Sequence, residues 1–280
     1  MSMKILPILN NQIQKPNFGT KPNSRKLNFT YNDFYVNIRG YGKNSEWAKI
    51  VKETADKAVD FIRSVCNFEE TIKKITQGII IANQIPLDLN KRLHSGILRI
   101  TRNGWVSTSA WYGKDLITKY NNKNKYKLYE FRLDKIADEP LKNPFPEMSL
   151  TRPQKLNFGK EKYLLHSNHK SIESALKLAN GLFTKFHNKY IKNKAKKEDL
   201  EDINSIIAEL RWIMAHSTPW ERGSDAISNI LVRSMYKAAG IKTYPLKKGI
   251  SLDLEAFCTE LDDYKKLFET YFEKLPHLVE

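Results

Sequence analysis

Residues 211–229 read RWIMAHSTPWERGSDAISN. An apolar helical run stops at Pro219, passes Arg222 and Gly223, and restarts as a second helix. Proline cannot continue a helix, glycine releases the backbone, and Ser224 or Asp225 offers a side-chain oxygen to cap the next helix. Those residues explain the break and the restart, but they leave Arg222 unexplained. A cation at a helix N-terminus sits at the wrong end of the helix dipole, at a cost of roughly 0.3–1 kcal/mol. The misfit vanishes if an anion binds there, because free helix N–H groups and a guanidinium fork converge on one phosphate or carboxylate. Each charge-assisted bond would then contribute ~1.5–3 kcal/mol. The plain alternative is a surface arginine paired with Glu221 or Asp225.

Outward from this junction the pattern stays helical. Upstream, Ile203, Ile206, Ile207, Leu210, Ile213 and Met214 form one apolar stripe, and Ile172, Leu176, Ala179, Phe183, Phe186 and Tyr190 form another. Downstream, Ile227, Ile230, Leu231, Met235 and Ala238 are closed by Gly240 as a C′ residue, and a final helix after Ser251 carries Leu254 through Leu275. Near the start, Trp47, Ile50, Val51, Val59, Ile62 and Val65 predict a helix capped by Ser45, and Ile72, Ile75 and Ile79 predict one ending before Pro86. The middle differs: GILRITRNGWVSTSAWYG (96–113) and KYKLYEFRL (125–133) alternate apolar and polar, with a hairpin-type Asn103-Gly104 between runs. Short strands are expected there. Residues 138–154, with Pro140, Pro144, Pro146 and Pro153, are expected to be a surface connection without regular structure. The reading is a mainly α protein with a small β element and no internal repeat.

Size and composition narrow the function classes. The chain has 280 residues, 41% hydrophobic and 11% aromatic, enough for one large domain or one with a small lobe. Residues 1–28, rich in Asn, Pro and Lys, read as a flexible polar leader, and 29–280 as a single two-lobed domain. No run approaches the ~18 apolar residues of a membrane span, and the start is a poor secretory signal. Cys66 and Cys258 are too isolated for a disulfide framework or metal cluster and read as buried small hydrophobes in a reducing compartment. The net charge of +16 comes from lysine–asparagine stretches such as KYNNKNKYK (119–127) and NKYIKNKAKK (188–197). No nucleic-acid signature accompanies it, so nucleic acid is not the expected partner, and the charge is read as acting on ligand encounter.

The segment 199–275 resembles the AvrB family of bacterial effectors. The residues that carry the likeness are INSIIAELRWIMA, then P-x-x-RGS, a second helix ending in AAGI, YPLKKGISLDLEAF, and DDYKKLFETYF. HSNHKSIESALKLANGLF (166–183) aligns less closely. The resemblance implies the Fido fold shared with Fic and Doc proteins: a helical core, a β-hairpin flap and a nucleotide-diphosphate cleft. It implies a glycosyltransferase moving rhamnose from UDP- or dTDP-rhamnose to a host-protein Ser or Thr hydroxyl, with no cofactor and no metal. Arg222, with Gly223 and Ser224, would hold the pyrophosphate, and Asp253 would lie opposite it. His169 would stand at the family's cleft histidine, with His166 competing, and Ser107 or Thr108 at its nucleotide-contacting threonine. Nearby, Trp220 reads as a packing residue or a base-stacking wall.

The chemistry is coherent with that implication. Glycosyl transfer develops charge on a leaving diphosphate, which a fixed arginine and helix amides meet. An aspartate nearby serves as base for the acceptor hydroxyl or stabilises positive charge on the sugar. Fic-type AMPylation is the nearest alternative, but its HPFxxGNGR motif aligns with Thr218 through Ala226, without the histidine, second glycine or final arginine. A non-catalytic effector that binds nucleotide or host protein is the other. The expected chain is monomeric, delivered by the bacterium into the host cytosol. Because it starts Met1-Ser2-Met3 rather than Met-Gly, N-myristoylation is not expected.

Overall fold

The computed structural model describes residues 27–34, 44–85, 89–99, 109–111, 123–155 and 162–279. Nearly all of the expected leader, the Asn103-Gly104 turn, and Ser107 and Thr108 lie outside the described residues. In chain order the helices are α1 (Ser45–Ser64), α2 (Phe68–Ala82), α3 (Leu89–His94), α4 (Lys123–Asp138), α5 (Ser171–Phe186), α6 (Leu200–Ser217), α7 (Ser224–Ala238), α8 (Leu252–Phe257) and α9 (Leu261–Leu267). The strands are β1 (Ser109–Trp111), β2 (Arg152–Lys155), β3 (Lys162–Leu165), β4 (Ile241–Lys242) and β5 (His277–Leu278). The protein is mainly helical with a small β element, as the periodicity predicts. No helix among the described residues is long and apolar enough to cross a membrane.

The core is built around α6. Ile203, Ile207, Leu210, Trp212, Ile213 and Met214 are fully enclosed, and burial continues all round the helix to Ser217. A helix apolar on every side must be covered on every side; α5, α7, α8 and α9 supply that cover. A second layer pairs α1 with α2. Asn44, one residue before the expected Ser45, caps α1 by accepting from Trp47 N at 3.0 Å, and Asn67 caps α2 through Glu70 N at 2.9 Å. The two helices touch at Gly78, where a Cβ would come within 2.1 Å of Thr54 Oγ1. Asn83 then ties this layer to the junction, accepting from Trp47 Nε1 at 2.9 Å and donating to Ser95 Oγ at 2.7 Å.

The β element is a three-stranded antiparallel sheet in the order β1-β3-β2, with Ala110 opposite Leu164 and Pro153 opposite the same residue on the other side. Pro153 therefore sits in a strand, contrary to the expectation of an irregular 138–154. It is tolerated because β2 is an edge strand and its missing N–H breaks no ladder. KYKLYEFRL is a second correction, for it lies in α4. The alternation there is coincidental: Tyr129 and Leu133 are buried at helical spacing, with Ile136 one turn on, whereas Leu128 and Phe131 face solvent.

The last helix is also interrupted. It breaks between α8 and α9 because tertiary donors occupy Thr259: Trp212 Nε1 takes its carbonyl at 3.1 Å and Arg132 Nη2 its hydroxyl at 2.9 Å. Cys66 is exposed in the α1–α2 turn, not buried, and Cys258 is half-buried. Gly240 does close α7, at φ +80°, and Arg63 donates to the terminal carbonyls of Lys237 and Ala238.

Candidate functional site

The α6–α7 junction is braced from one side by a single buried cation. Thr218 ends α6 in the left-handed region at φ 39°, and Pro219 follows it. A threonine pays for that conformation unless its surroundings fix it. Here Arg99 does so. Its Nε donates to Thr218 O at 2.6 Å, and its Nη2 to Ser217 O at 2.6 Å and Thr218 Oγ1 at 3.0 Å. The guanidinium thus meets the last carbonyls of α6, where the helix dipole favours a cation. Ser167 O and Oγ complete its partners. Backbone bonds extend the brace: Arg99 N to Pro219 O, Glu221 N to Ile97 O and Gly96 N to Arg222 O, at 2.9, 2.9 and 3.1 Å. Burial lowers the Arg99 pKa to about 10.

Gly223, at φ +97°, turns the chain into α7. Neither expected side-chain cap forms. The Ser224 hydroxyl reaches back to Trp220, accepting from its N–H and donating to its carbonyl, both at 3.1 Å. Asp225 turns inward instead. Its Oδ1 and the Oδ1 of Asp253 are held by Arg211, through Nη2 at 2.5 Å and Nη1 at 2.7 Å, while Nε donates to Asn229 at 3.1 Å. The side chain of Arg211 is 0% exposed, that of Asp253 19% and that of Asp225 40%. Burial and the neighbouring Asp253 push the Asp225 pKa up against the pull of Arg211; its remaining exposure to water moderates that push. Burial would discharge Arg211, but Asp253 and Asp225 outweigh it and keep the guanidinium charged.

Arg222 is exposed at the mouth of this junction, between Glu221, which pairs with His94 Nδ1, and Gly223. Trp220 is buried, so it packs and does not form an open stacking wall. Asp253 joins the junction through Arg211 at the first turn of α7. His166 follows β3; its Nδ1 is buried, with no hydrogen-bond partner among the described residues. Burial, then the charges of Arg99 and Arg222, depress its pKa to about 4. His169 is exposed just before α5. Both histidines line a cavity of about 920 Å³ with Arg99, Arg152, Ser167 and Phe257; Arg222 and Asp253 do not line it.

The structure therefore sorts the expected residues into two places. Arg222, Gly223, Ser224 and Asp253 gather at the start of α7, and His169 lies at the adjacent cavity. Two organising residues, Arg99 and Arg211, escape a reading of the sequence alone. Arg211 bridges partners 14 and 42 residues away, and Arg99 binds carbonyls rather than a carboxylate. His216 is buried between Thr151 O at 2.9 Å and Ala256 O at 3.0 Å, and so it is withdrawn from the junction it flanks in sequence.

A comparison with curated proteins finds no match. The family profile of the AvrB/AvrC avirulence proteins, by contrast, matches residues 133–275, just over half the chain, from α4 to beyond α9. That span contains the whole α6–α7 junction together with Arg211, Arg222 and Asp253. The chain belongs to the AvrB/AvrC family of avirulence proteins, which makes it an effector-type protein.

Proposed function

We infer that this effector transfers a sugar from a nucleotide-diphosphate donor to a host-protein hydroxyl. The observation that carries the reading is the junction itself: an exposed Arg222 beside the Gly223 turn, with Asp253 brought to the same helix start by Arg211. In the proposed reaction Arg222 and the first N–H groups of α7 hold the diphosphate. The acceptor oxygen bonds to the anomeric carbon as the bond from that carbon to the diphosphate oxygen breaks, and the diphosphate leaves with the electron pair. The acceptor proton passes to Asp253. Arg211 occupies Asp253 Oδ1, so Oδ2 is the atom assigned to take it. His169, at the adjacent cavity, contacts the acceptor on this reading. Rhamnose, carried by UDP or dTDP, is the sugar that the family likeness suggests.

AMPylation fits less well. Thr218 stands where the Fic motif has its base, and its hydroxyl is engaged by Arg99. His216 is enclosed by two carbonyls and does not replace that base. The test is intact mass after incubating the protein and a candidate acceptor with mixed nucleotide sugars and ATP. A deoxyhexose increment supports the reading, an adenylyl increment replaces it with nucleotidyl transfer, and no product with retained host-protein binding replaces it with a binding effector.

A further inference from the structure

The six residues of α8, LDLEAF, make about a turn and a half, too short to hold a helix by its own hydrogen bonds. No side chain caps its start. Its place is therefore set from outside, and two helices set it. From α6, Arg211 donates to Asp253 Oδ1 at 2.7 Å and Trp212 to Thr259 O at 3.1 Å, while His216 Nε2 lies 3.0 Å from Ala256 O. The other side belongs to α4. Glu255 stands two residues after Asp253, about 200° round the helix, so the two carboxylates point in opposite directions. Glu255 is 6% exposed and both its oxygens are engaged: Oε1 accepts from the Tyr129 hydroxyl, and Oε2 from Arg132 Nη1 at 2.8 Å. The Tyr129 oxygen also accepts from Ser251 N at 3.3 Å, just before α8, and Arg132 Nη2 donates to Thr259 Oγ1 at 2.9 Å, just after it. Burial, then the charge and hydrogen bond of Glu255, hold the Tyr129 pKa above its ordinary value, so the phenol keeps the proton it donates. The Arg132 guanidinium lies 5.6 Å from the centre of the Tyr129 ring, which joins the two α4 residues into one clamp.

Leu252, Leu254, Ala256 and Phe257 already bury α8 in the core. A buried carboxylate–guanidinium pair is weak as a stabiliser, and the geometry it fixes accounts for it better. Apolar contact leaves a short helix free to turn about its axis, whereas directional bonds do not. A turn of ~20° carries a carboxylate ~5 Å from the axis by about 2 Å. A displacement of only about 1 Å can cost on the order of 100-fold in rate. We propose that Tyr129, Arg132 and Glu255 are positioning residues for Asp253: they fix the rotation of α8 and so hold that carboxylate on Arg211 beside the start of α7. What Asp253 does there rests on the sugar-transfer reading; where it lies does not. None of the three touches substrate on this account.

The test reads the Arg211 guanidinium by nitrogen-15 NMR in the full chain, because its two arms report separately. Nη1 donates to Asp253 on α8 and Nη2 to Asp225 on α7. Asp253→Asn gives the reference position of the Nη1–H signal when its carboxylate partner is gone. In Tyr129→Phe, which keeps the ring and loses only the hydroxyl, Nη1–H moves toward that reference and Nη2–H stays in place. Arg132→Gln, at a side chain 28% exposed, gives the same result and serves if Glu255→Gln does not fold. A merely structural role would lower the melting temperature and leave both signals where they are, or loosen the site and move both together. Either pattern overturns the proposal. With donor and acceptor present, Tyr129→Phe lowers kcat by roughly tenfold to a hundredfold, with KM for the nucleotide sugar within about twofold of the parent. If the parent transfers no sugar while Nη1–H alone moves, the sugar-transfer reading fails and the positioning stands. If sugar is transferred and neither signal moves, the positioning fails and the reading stands.

Discussion

Replacing Arg211 with methionine tests the physical heart of the junction. The variant keeps an apolar stem inside α6 but removes the cation that serves Asp225, Asp253 and Asn229 together. Asp253 has only 19% of its side chain exposed, and stranding a carboxylate of that kind costs about 3–5 kcal/mol. Asp225, at 40%, rehydrates more easily and adds at most ~1 kcal/mol, the scale of an exposed pair. Methionine packing returns part of this, so the net expectation is a loss of about 3–5 kcal/mol in urea unfolding at pH 7. The loss narrows toward pH 4. Burial and Asp253 already raise the folded Asp225 pKa, so as pH falls its protonated form takes over and that one of the two stranded charges disappears. Arg211→Met with Asp253→Leu recovers most of the stability, because the buried charge is removed with its partner. A single-variant loss below about 1 kcal/mol, or a double variant no better than the single, would refute the account of Arg211 as the organising residue.

Other positions make separate predictions. Gly78→Ala places a Cβ 2.1 Å from Thr54 Oγ1 and should cost about 1–3 kcal/mol, read as a lower melting temperature; an unchanged melt would mean that α1 and α2 do not cross this closely. Gly223→Ala must hold φ +97° with a Cβ 3.1 Å from Ile79 Cγ2, and should lose roughly 1–2 kcal/mol together with nucleotide affinity. For His216, burial pulls the ring down to about 4 against the upward pull of the Ala256 and Thr151 carbonyls. A depressed folded pKa means stability present above pH ~6.5 and lost as pH falls through the window to about 4, by about 3 kcal/mol in all. Imidazole NMR that showed His216 titrating near pH 6.5 would contradict it.

Much of the helical scaffold was legible because one period governs it. The stripe from Ile203 to Met214 and the closing glycine Gly240 read directly as helix and helix end, since each residue's role depends on neighbours within a turn or two. KYKLYEFRL failed for the same reason in reverse. Over nine residues, alternation and a helical face overlap, and only Tyr129 and Leu133 packing inward separates them. At the site, Gly223 was legible from its place after the helix break. Ser224 and Asp225 each read as a possible cap, but their partners in the fold, Trp220 and Arg211, are reached by folding back and by packing. Arg99 was invisible for a stronger reason. It lies 119 residues from Thr218 and binds backbone carbonyls, which carry no residue identity to recognise.

On the proposed function, Arg222 and the start of α7 form a diphosphate site. Calorimetric titration of UDP into the parent protein and into Arg222→Ala tests it most directly. Arg222 is exposed, so the variant should fold normally and show the melting temperature of the parent. The account predicts measurable UDP binding that weakens by roughly tenfold to a hundredfold without the guanidinium. Equal affinity in the two proteins, or no UDP binding by the parent, would contradict it.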